Sequence, residues 1–314
     1  MTLGQDRSDF KVCVVIVTYN RKLLLSRCLK SILRQTIKVK KVIVVDNHST
    51  DGSEFLVTDS LLPIFRENCI ALKWIRLEKN LGGAGGFNIG FKSFMETDED
   101  YLWVMDDDGY PSEDCLELLI KDASPTCCIG PLVISDKDKS LLTFPIRKDN
   151  STKNYNSLAD IPPNITKIYN KLTPFNGTFI GKSLVKTIGG PNPDYFIWGD
   201  EIDFMERAKA AGAPIFTNCA AKFFHPKTQN LGCPMFFNLM RFNDPDSVLK
   251  LYCYCRNNFV NKRKYKGILF AFLFAIKAIW FYSFTQPSCK KLTLVMKATF
   301  HGLKNDFSKH HNYM

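Results

Sequence analysis

The chain has 314 residues, with 42 Lys and Arg against 31 Asp and Glu and a formal net charge of +11. At 45% hydrophobic and 23% charged residues, with no internal repeat and no long low-complexity tract, it excludes solenoid and disordered classes and predicts a well-cored folded protein. Eleven cysteines without a CxxC pair or a zinc-spaced His/Cys cluster exclude a zinc module; several sit in apolar runs (Cys13, Cys28, Cys219), which predicts reduced core thiols.

The opening MTLGQDRSDF lacks an apolar stretch long enough for a signal peptide, so the chain is expected on the cytosolic side. VCVVIVTYN is a β-branched run stopping at polar residues, as a buried parallel strand does. In RKLLLSRCLKSILRQ, Leu25, Cys28, Leu29, Ile32 and Leu33 fall on one helical face. KVIVVDNHSTDGS predicts a second strand ending at Asp46, followed by turn and capping residues. ALKWIRLEKN predicts a third strand, and LGGAGGFNIGFKSFMET a glycine-rich turn running into a helix. YLWVMDDDG is the fourth strand, with Pro111 and Ser112 opening a helix to Lys121. CCIGPLVI is another strand, residues 136–172 read as a loop-rich excursion, and FNGTFIGKSLVKTIG returns to ordered structure. YFIWGDEIDFMERAKAAG enters a helix at Asp200, and IFTNCAAKFFHPKTQ supplies a strand and His225. From Pro245 the pattern is helical and increasingly apolar.

Strands alternating with helices predict an α/β fold with a mostly parallel sheet. Ligands of such sheets collect at the carboxyl ends of the strands. Here those ends carry Thr18 to Asn20, Asp46, Asn80 and the triplet Asp106, Asp107 and Asp108, so all four point toward a nucleotide-sized site. Two carboxylates of a D-x-D at a strand end can share a divalent ion that grips a diphosphate; the bland alternative is an acidic turn capping the next helix. NLGGAGGFNIG has neither GxGxxG spacing nor a GK[ST] ending, which removes dinucleotide and P-loop readings. Close backbone approach to a ligand and plain helix packing both remain open for its glycines.

The segment WGDEIDF places Asp200, Glu201 and Asp203 at a helix start, where acids either favour the helix dipole or supply a general base. The aromatics Tyr195, Phe196 and Trp198 before them could wall a sugar ring. His225 follows an apolar run and is either structural or a third metal ligand. GILFAFLFAIKAIWFYSF, residues 267–284, is almost of membrane-spanning length but contains Lys277 and is flanked by KRKYK and SCKK. That pattern predicts an interfacial helix on acidic lipid headgroups, with a core helix or a true span as alternatives. No nucleic-acid recognition motif accompanies the basic tail.

In joint order, VIVTYNR, VVDNHSTDGS, the DxD strand end and WGDE resemble the family 2 inverting glycosyltransferases, over roughly residues 11–230. NLGGAGGFNIG with the DDD triplet and FFHP looks most like the bacterial galactofuranosyltransferases of that family. The resemblance implies a GT-A nucleotide-diphospho-sugar transferase fold over residues 1–245, a mostly parallel sheet flanked by helices; beyond it the residues themselves predict a basic, apolar, membrane-associating helical region over 246–314. It implies Thr18, Asn20, Arg21 and Asp46 around uridine, with Asn80, Gly83, Asp106 and Asp107 at the donor. Asp106, Asp108 and His225 would hold Mn2+ or Mg2+. Glu201 stands where the family usually has an aspartate base, with Asp200 and Asp203 as alternatives, and Trp198 and Tyr195 would meet the acceptor. The expected activity is metal-dependent transfer of galactofuranose from a UDP donor to a growing, lipid-linked cell-surface glycan at the cytosolic face of the inner membrane. Rhamnosyl or other pyranosyl transfer is the alternative. A nucleotidyltransferase would need a glycine-rich loop after the first strand, which VTYNRK lacks, and a non-catalytic binding module has little use for two acidic clusters.

Overall fold

The computed structural model describes residues 10–227 and 232–314. The signal-peptide expectation rests on residues 1–9, and the expected strand IFTNCAAKFFHPKTQ ends at Thr228 and Gln229; both places lie outside the described residues. The chain groups into two compact units. The first is Met1–Leu81, Gly86–Gly190 and Arg207–Thr228; the second is Gly82–Gly85, Pro191–Glu206 and Gln229–Met314. Residues 191–206 thus cluster with the C-terminal helices, although they precede position 245 in sequence.

The first unit begins with β1 (Val12–Thr18), α1 (Lys22–Leu33), β2 (Lys41–Asp46), α2 (Ser53–Phe55), a π-helical stretch Leu56–Leu61, α3 (Leu62–Glu67) and β3 (Ala71–Arg76). α4 (Gly82–Met95), β4 (Tyr101–Asp106), β5 (Tyr110–Pro111) and α5 (Cys115–Ile120) follow. Then come β6 (Cys128–Ser135), β7 (Leu141–Arg147), β8 (Asn154–Ser157), β9 (Lys167–Tyr169), β10 (Asn176–Gly181), α6 (Lys182–Ile188), α7 (Asp200–Ala210), which belongs to the second unit as far as Glu206, and β11 (Ile215–His225). The sheet runs β3-β2-β1-β4-β10-β6-β11-β5, with β7, β8 and β9 attached off this path. β3, β2, β1 and β4 are mutually parallel, whereas β10 is antiparallel to both of its neighbours.

All seven residues of β1 are buried, as a strand covered on both faces must be. Val14, Ile16, Val42, Val44, Trp103 and Met105 share one core with Leu25, Cys28, Leu29 and Ile32 of α1. Register decides where the polar ends fall: Thr18 pairs with Asp46, and Val17 with Asp106. The residues that terminate three neighbouring strands therefore lie level.

One segment goes unread in the sequence and two expectations need correction. The unread segment is helical from Ser53 to Glu67, with Pro63 in the first turn of α3, where no intrahelical N–H is needed. Pro111 does not open a helix but pairs with Phe223 as part of β5, a sheet-edge place that tolerates the missing N–H; the helix starts at Cys115. Residues 136–172 contain β7, β8 and β9 around a small core of Leu132, Ile134, Leu142 and Ile168.

In the second unit are a hairpin of β12 (Cys233–Met235) and β13 (Met240–Phe242), then α8 (Val248–Lys266), α9 (Ile268–Trp280), a π-helical turn Phe281–Thr285 and α10 (Cys289–Leu303). The expected helical extension is present. Ser247 and Ser288 cap α8 and α10, each accepting a bond from the backbone N–H three residues on. Phe242, Leu251, Tyr252, Phe274, Phe281 and Val295 form its core.

Candidate active site

At the carboxyl end of the parallel strands, Asp107 is 2% exposed and accepts from Thr18 Oγ1 at 2.6 Å and from Arg21 Nη1 at 3.0 Å. Arg21 also reaches Asp108 Oδ2 at 2.8 Å, and the other Asp108 oxygen meets His225 Nε2 at 3.1 Å. Asp46 is fully buried. Its Oδ1 accepts from the Ser49 N–H, while Oδ2 has no hydrogen-bond partner among the described residues. Asn20, in the left-handed region at φ 52°, is tied to the loop after β2: its N–H donates to Ser49 Oγ and its side-chain oxygen accepts from the Thr50 N–H. Thr18, Arg21, Asp46, Asp106, Asp107, Asp108 and His225 are thus gathered at the strand ends, with Asn80 in the loop after β3.

The cluster is short of positive charge. Burial, then the charges of Asp108 and Asp107, push the Asp106 carboxyl up to about 8. Burial also lifts Asp107 to about 6, against the pull of Arg21 and Thr18. For Asp108 burial is outweighed by the hydrogen bond and charge of His225, which hold it below the usual carboxylate value. Burial opposes protonation of His225, yet Asp108 raises it above the ordinary histidine value. Three carboxylates face one arginine and one histidine, so like charge adds to burial in raising Asp106. Among the described residues no three His, Cys, Asp or Glu side chains form a ready-made ligand set, so Asp106, Asp108 and His225 are not preassembled around an ion. Their donor chemistry, hard carboxylate oxygens plus imidazole, still fits Mn2+ or Mg2+.

Two supporting residues escaped the sequence reading. Arg27 donates to the Asp108 carbonyl at 2.8 Å and lies 4.4 Å from the Tyr110 ring centre, fixing the triplet from behind. Asp51 accepts from the Lys22 N–H at 2.8 Å and so caps α1 from a distant loop. The only available signal was a charged residue beside core Cys28 and an acid in a turn. The glycine-rich segment divides by packing. A Cβ on Gly86 or Gly90 would lie 2.6 or 2.4 Å from a methyl of Val17 or Val15 on β1, so these glycines let α4 approach the sheet. A Cβ on Gly83 would meet nothing within 4 Å, so packing does not require that glycine.

In the second unit, Phe196, Trp198 and Gly199 have φ of 64°, 61° and 92°. Left-handed bulky residues are strained, and α8 holds them there. Asn257 Nδ2 lies 3.0, 3.0 and 2.6 Å from the carbonyls of Tyr195, Ile197 and Trp198. Asn261 donates to the Gly199 carbonyl at 2.8 Å, and Arg256 to that of Tyr195 at 3.0 Å. Three polar residues buried in one helix were the overlooked signal. Glu201, partly exposed at the start of α7, accepts from the Gly199 N–H at 2.7 Å. Asp200 is 5% exposed beside it. Two expectations change here. Asp203 is 2% exposed and bonded to Lys264 at 2.7 Å and to the Tyr265 hydroxyl at 2.6 Å, a structural tie. Tyr195 is also 2% exposed, its hydroxyl spent on Asn261 at 2.6 Å, so it presents no face to an acceptor. Trp198 keeps partial exposure.

Residues 13–178 match the family model described as Glycosyl transferase family 2. The chain belongs to glycosyltransferase family 2. It is 28% identical over 258 residues to galactofuranosyltransferase GlfT1 of Mycolicibacterium smegmatis, covering 78% of this chain and 81% of that protein. By fold it is similar to GalNAc-T7, solved with UDP, GalNAc and Mn2+, at 16% identity and a TM-score of 0.57. That match covers 93% of this chain but 55% of the other, so the chain spans about half of GalNAc-T7. It is similar also to the mannosyltransferase PcManGT of Pyrobaculum calidifontis, solved with GDP-Man and Mn2+, at 17% identity and a TM-score of 0.53, covering 95% and 76% of the two chains. The fold is GT-A, and a family 2 member of this fold is a transferase.

Proposed function

We propose that the chain is an inverting galactofuranosyltransferase that moves galactofuranose from UDP-galactofuranose to a hydroxyl of a growing, lipid-linked cell-surface glycan. The observation that carries this reading is the level placement of Thr18, Asp46 and the Asp106–Asp108 triplet at the ends of neighbouring parallel strands. Similarity to a galactofuranosyltransferase over most of the chain supports the choice of sugar. The unpaired Asp46 Oδ2 suits the N–H of a uracil base, since a buried carboxylate oxygen without a donor is costly. Asn80 and Gly83 would lie along the donor. A divalent ion held by Asp106, Asp108 and His225 would offset charge on the departing diphosphate.

Glu201 would take the proton of the acceptor hydroxyl while its oxygen attacks the anomeric carbon. The bond from that carbon to the β-phosphate oxygen breaks, UDP leaves with the electron pair, and one displacement inverts the anomeric configuration. Asp107 would hold Thr18 and Arg21 in place, and Trp198 would flank the acceptor. The work would be done at the cytosolic face of an anionic membrane.

Calorimetric titration of UDP with Mn2+, then with EDTA, tests the donor site on wild type and Asp108→Ala. Binding that requires both the ion and Asp108 is expected, and metal-independent binding would remove their assigned role. Glu201→Gln should lower turnover of UDP-galactofuranose by about two to four orders of magnitude with UDP affinity unchanged; retained turnover would remove Glu201 as the base.

A further inference from the structure

α9 and the π-helical turn after it form a continuous apolar segment, Ile268–Thr285, 18 residues long, or about 27 Å at helical rise. The side buried against the rest of the second unit carries Ala271, Phe274, Ala275 and Ala278, with Phe281 and Tyr282 of the π-helical turn. The outward side carries Leu269, Phe272, Leu273, Ile276, Trp280 and Phe284, exposed by 66, 43, 52, 57, 39 and 67%. Burying large apolar side chains is what the hydrophobic effect favours in water, so a contiguous face that leaves this many of them outward marks an interaction site.

What the face fits is set by the charge around it. Lys262, Arg263 and Lys266 immediately precede the segment and Lys290 closely follows it, Lys264 and Lys291 being paired with Asp203 and Asp244, and Asp306 is the lone acid after Asp246. A second copy docking here would bring like charges together, whereas a lipid surface with phosphate headgroups would neutralise them. A span across the bilayer conflicts with the packing, because the inward side is committed to the protein core and one third of the segment is buried there.

Deepening the membrane placement proposed above, we propose that α9 lies in the plane of an anionic bilayer surface, its large apolar side chains among the acyl chains and its flanking lysines on the phosphates. This is the geometry of an amphipathic interfacial helix. Trp280, near the end of the segment, has the amphipathic ring favoured at that depth.

The test is sedimentation of the full chain with vesicles of phosphatidylcholine alone and of phosphatidylcholine with phosphatidylglycerol, with UDP binding measured on the same preparations. Wild type should bind the anionic vesicles, weaken with salt, and be released from native membranes by alkaline carbonate. Leu273→Asp with Ile276→Asp changes only exposed positions and should cut vesicle binding at least about tenfold with the same melting point and UDP affinity. Lys266→Gln with Lys290→Gln should remove most of the salt dependence. Equal binding by the double-Asp variant would overturn the proposal, as would a wild-type dimer that this variant makes monomeric. Carbonate-resistant retention would replace the in-plane helix by a span. Loss of UDP binding across all proteins would instead undermine the donor site and leave the docking result standing.

Discussion

Asn257 offers the sharpest test of how the strained loop before Glu201 is held. One amide, fully buried in α8, serves the carbonyls of Tyr195, Ile197 and Trp198, while its oxygen accepts from Arg256 Nε at 2.8 Å. Asn257→Leu preserves the volume and deletes both the donor and the acceptor. The Tyr195 carbonyl keeps Arg256 at 3.0 Å, so the groups losing their Asn257 bond without that substitute are the carbonyls of Ile197 and Trp198 and the buried Arg256 Nε–H. At roughly 1–3 kcal/mol per buried unsatisfied group, and without full additivity, the cost should be about 2–4 kcal/mol. Folded domains have about 5–15 kcal/mol in total, so the variant should remain folded but loosen locally. Hydrogen exchange should rise over residues 193–203 with β1 and β2 unaffected, turnover should fall, and UDP affinity should be unchanged. Exchange of that segment at the wild-type rate, with stability within about 1 kcal/mol of wild type, would refute the clamp.

Gly90→Ala should destabilise the protein by about 1–3 kcal/mol although alanine is the better helix former, since its Cβ would meet a Val15 methyl at 2.4 Å; a raised denaturation midpoint would show that α4 does not approach β1 so closely. His310, 7% exposed and stacked on Phe196 at 4.6 Å, has its pKa lowered by burial, against the opposing hydrogen bond to the Phe307 carbonyl. The unfolded state therefore binds more protons below the ordinary value of 6.5, and this contribution to stability, full above 6.5, is lost as pH falls through the folded pKa. His310→Phe should flatten the fall of stability on the acidic side of that value, measured by urea midpoints across pH; an unchanged slope would show that His310 does not titrate on unfolding.

Much of the strand-end cluster was legible in the chain itself. Buried parallel strands carry continuous apolar runs, so the stopping points at Thr18, Asp46 and Asp106 stand out, and the acids of the second cluster mark a helix start in any fold. Local sequence thus determined which residues end strands, which begin helices, and the α/β class, because side-chain periodicity and backbone preferences act over a few residues. It misread segments whose structure depends on remote partners. Pro111 becomes a strand because Phe223 pairs with it, and residues 136–172 acquire strands by adding to β6, β11 and each other.

Only the tertiary structure decided what each acid does. Asp107, Asp108 and Asp203 are chemically alike, yet the first is bound by Thr18 and Arg21, the second touches His225, and the third is tied to Lys264 and Tyr265. Tyr195 and Trp198 are near neighbours in sequence, and burial withdraws one while leaving the other partly open. The physical reason is that a carboxylate's charge state and an aromatic ring's availability depend on burial and on partners tens of residues away, which no local pattern encodes.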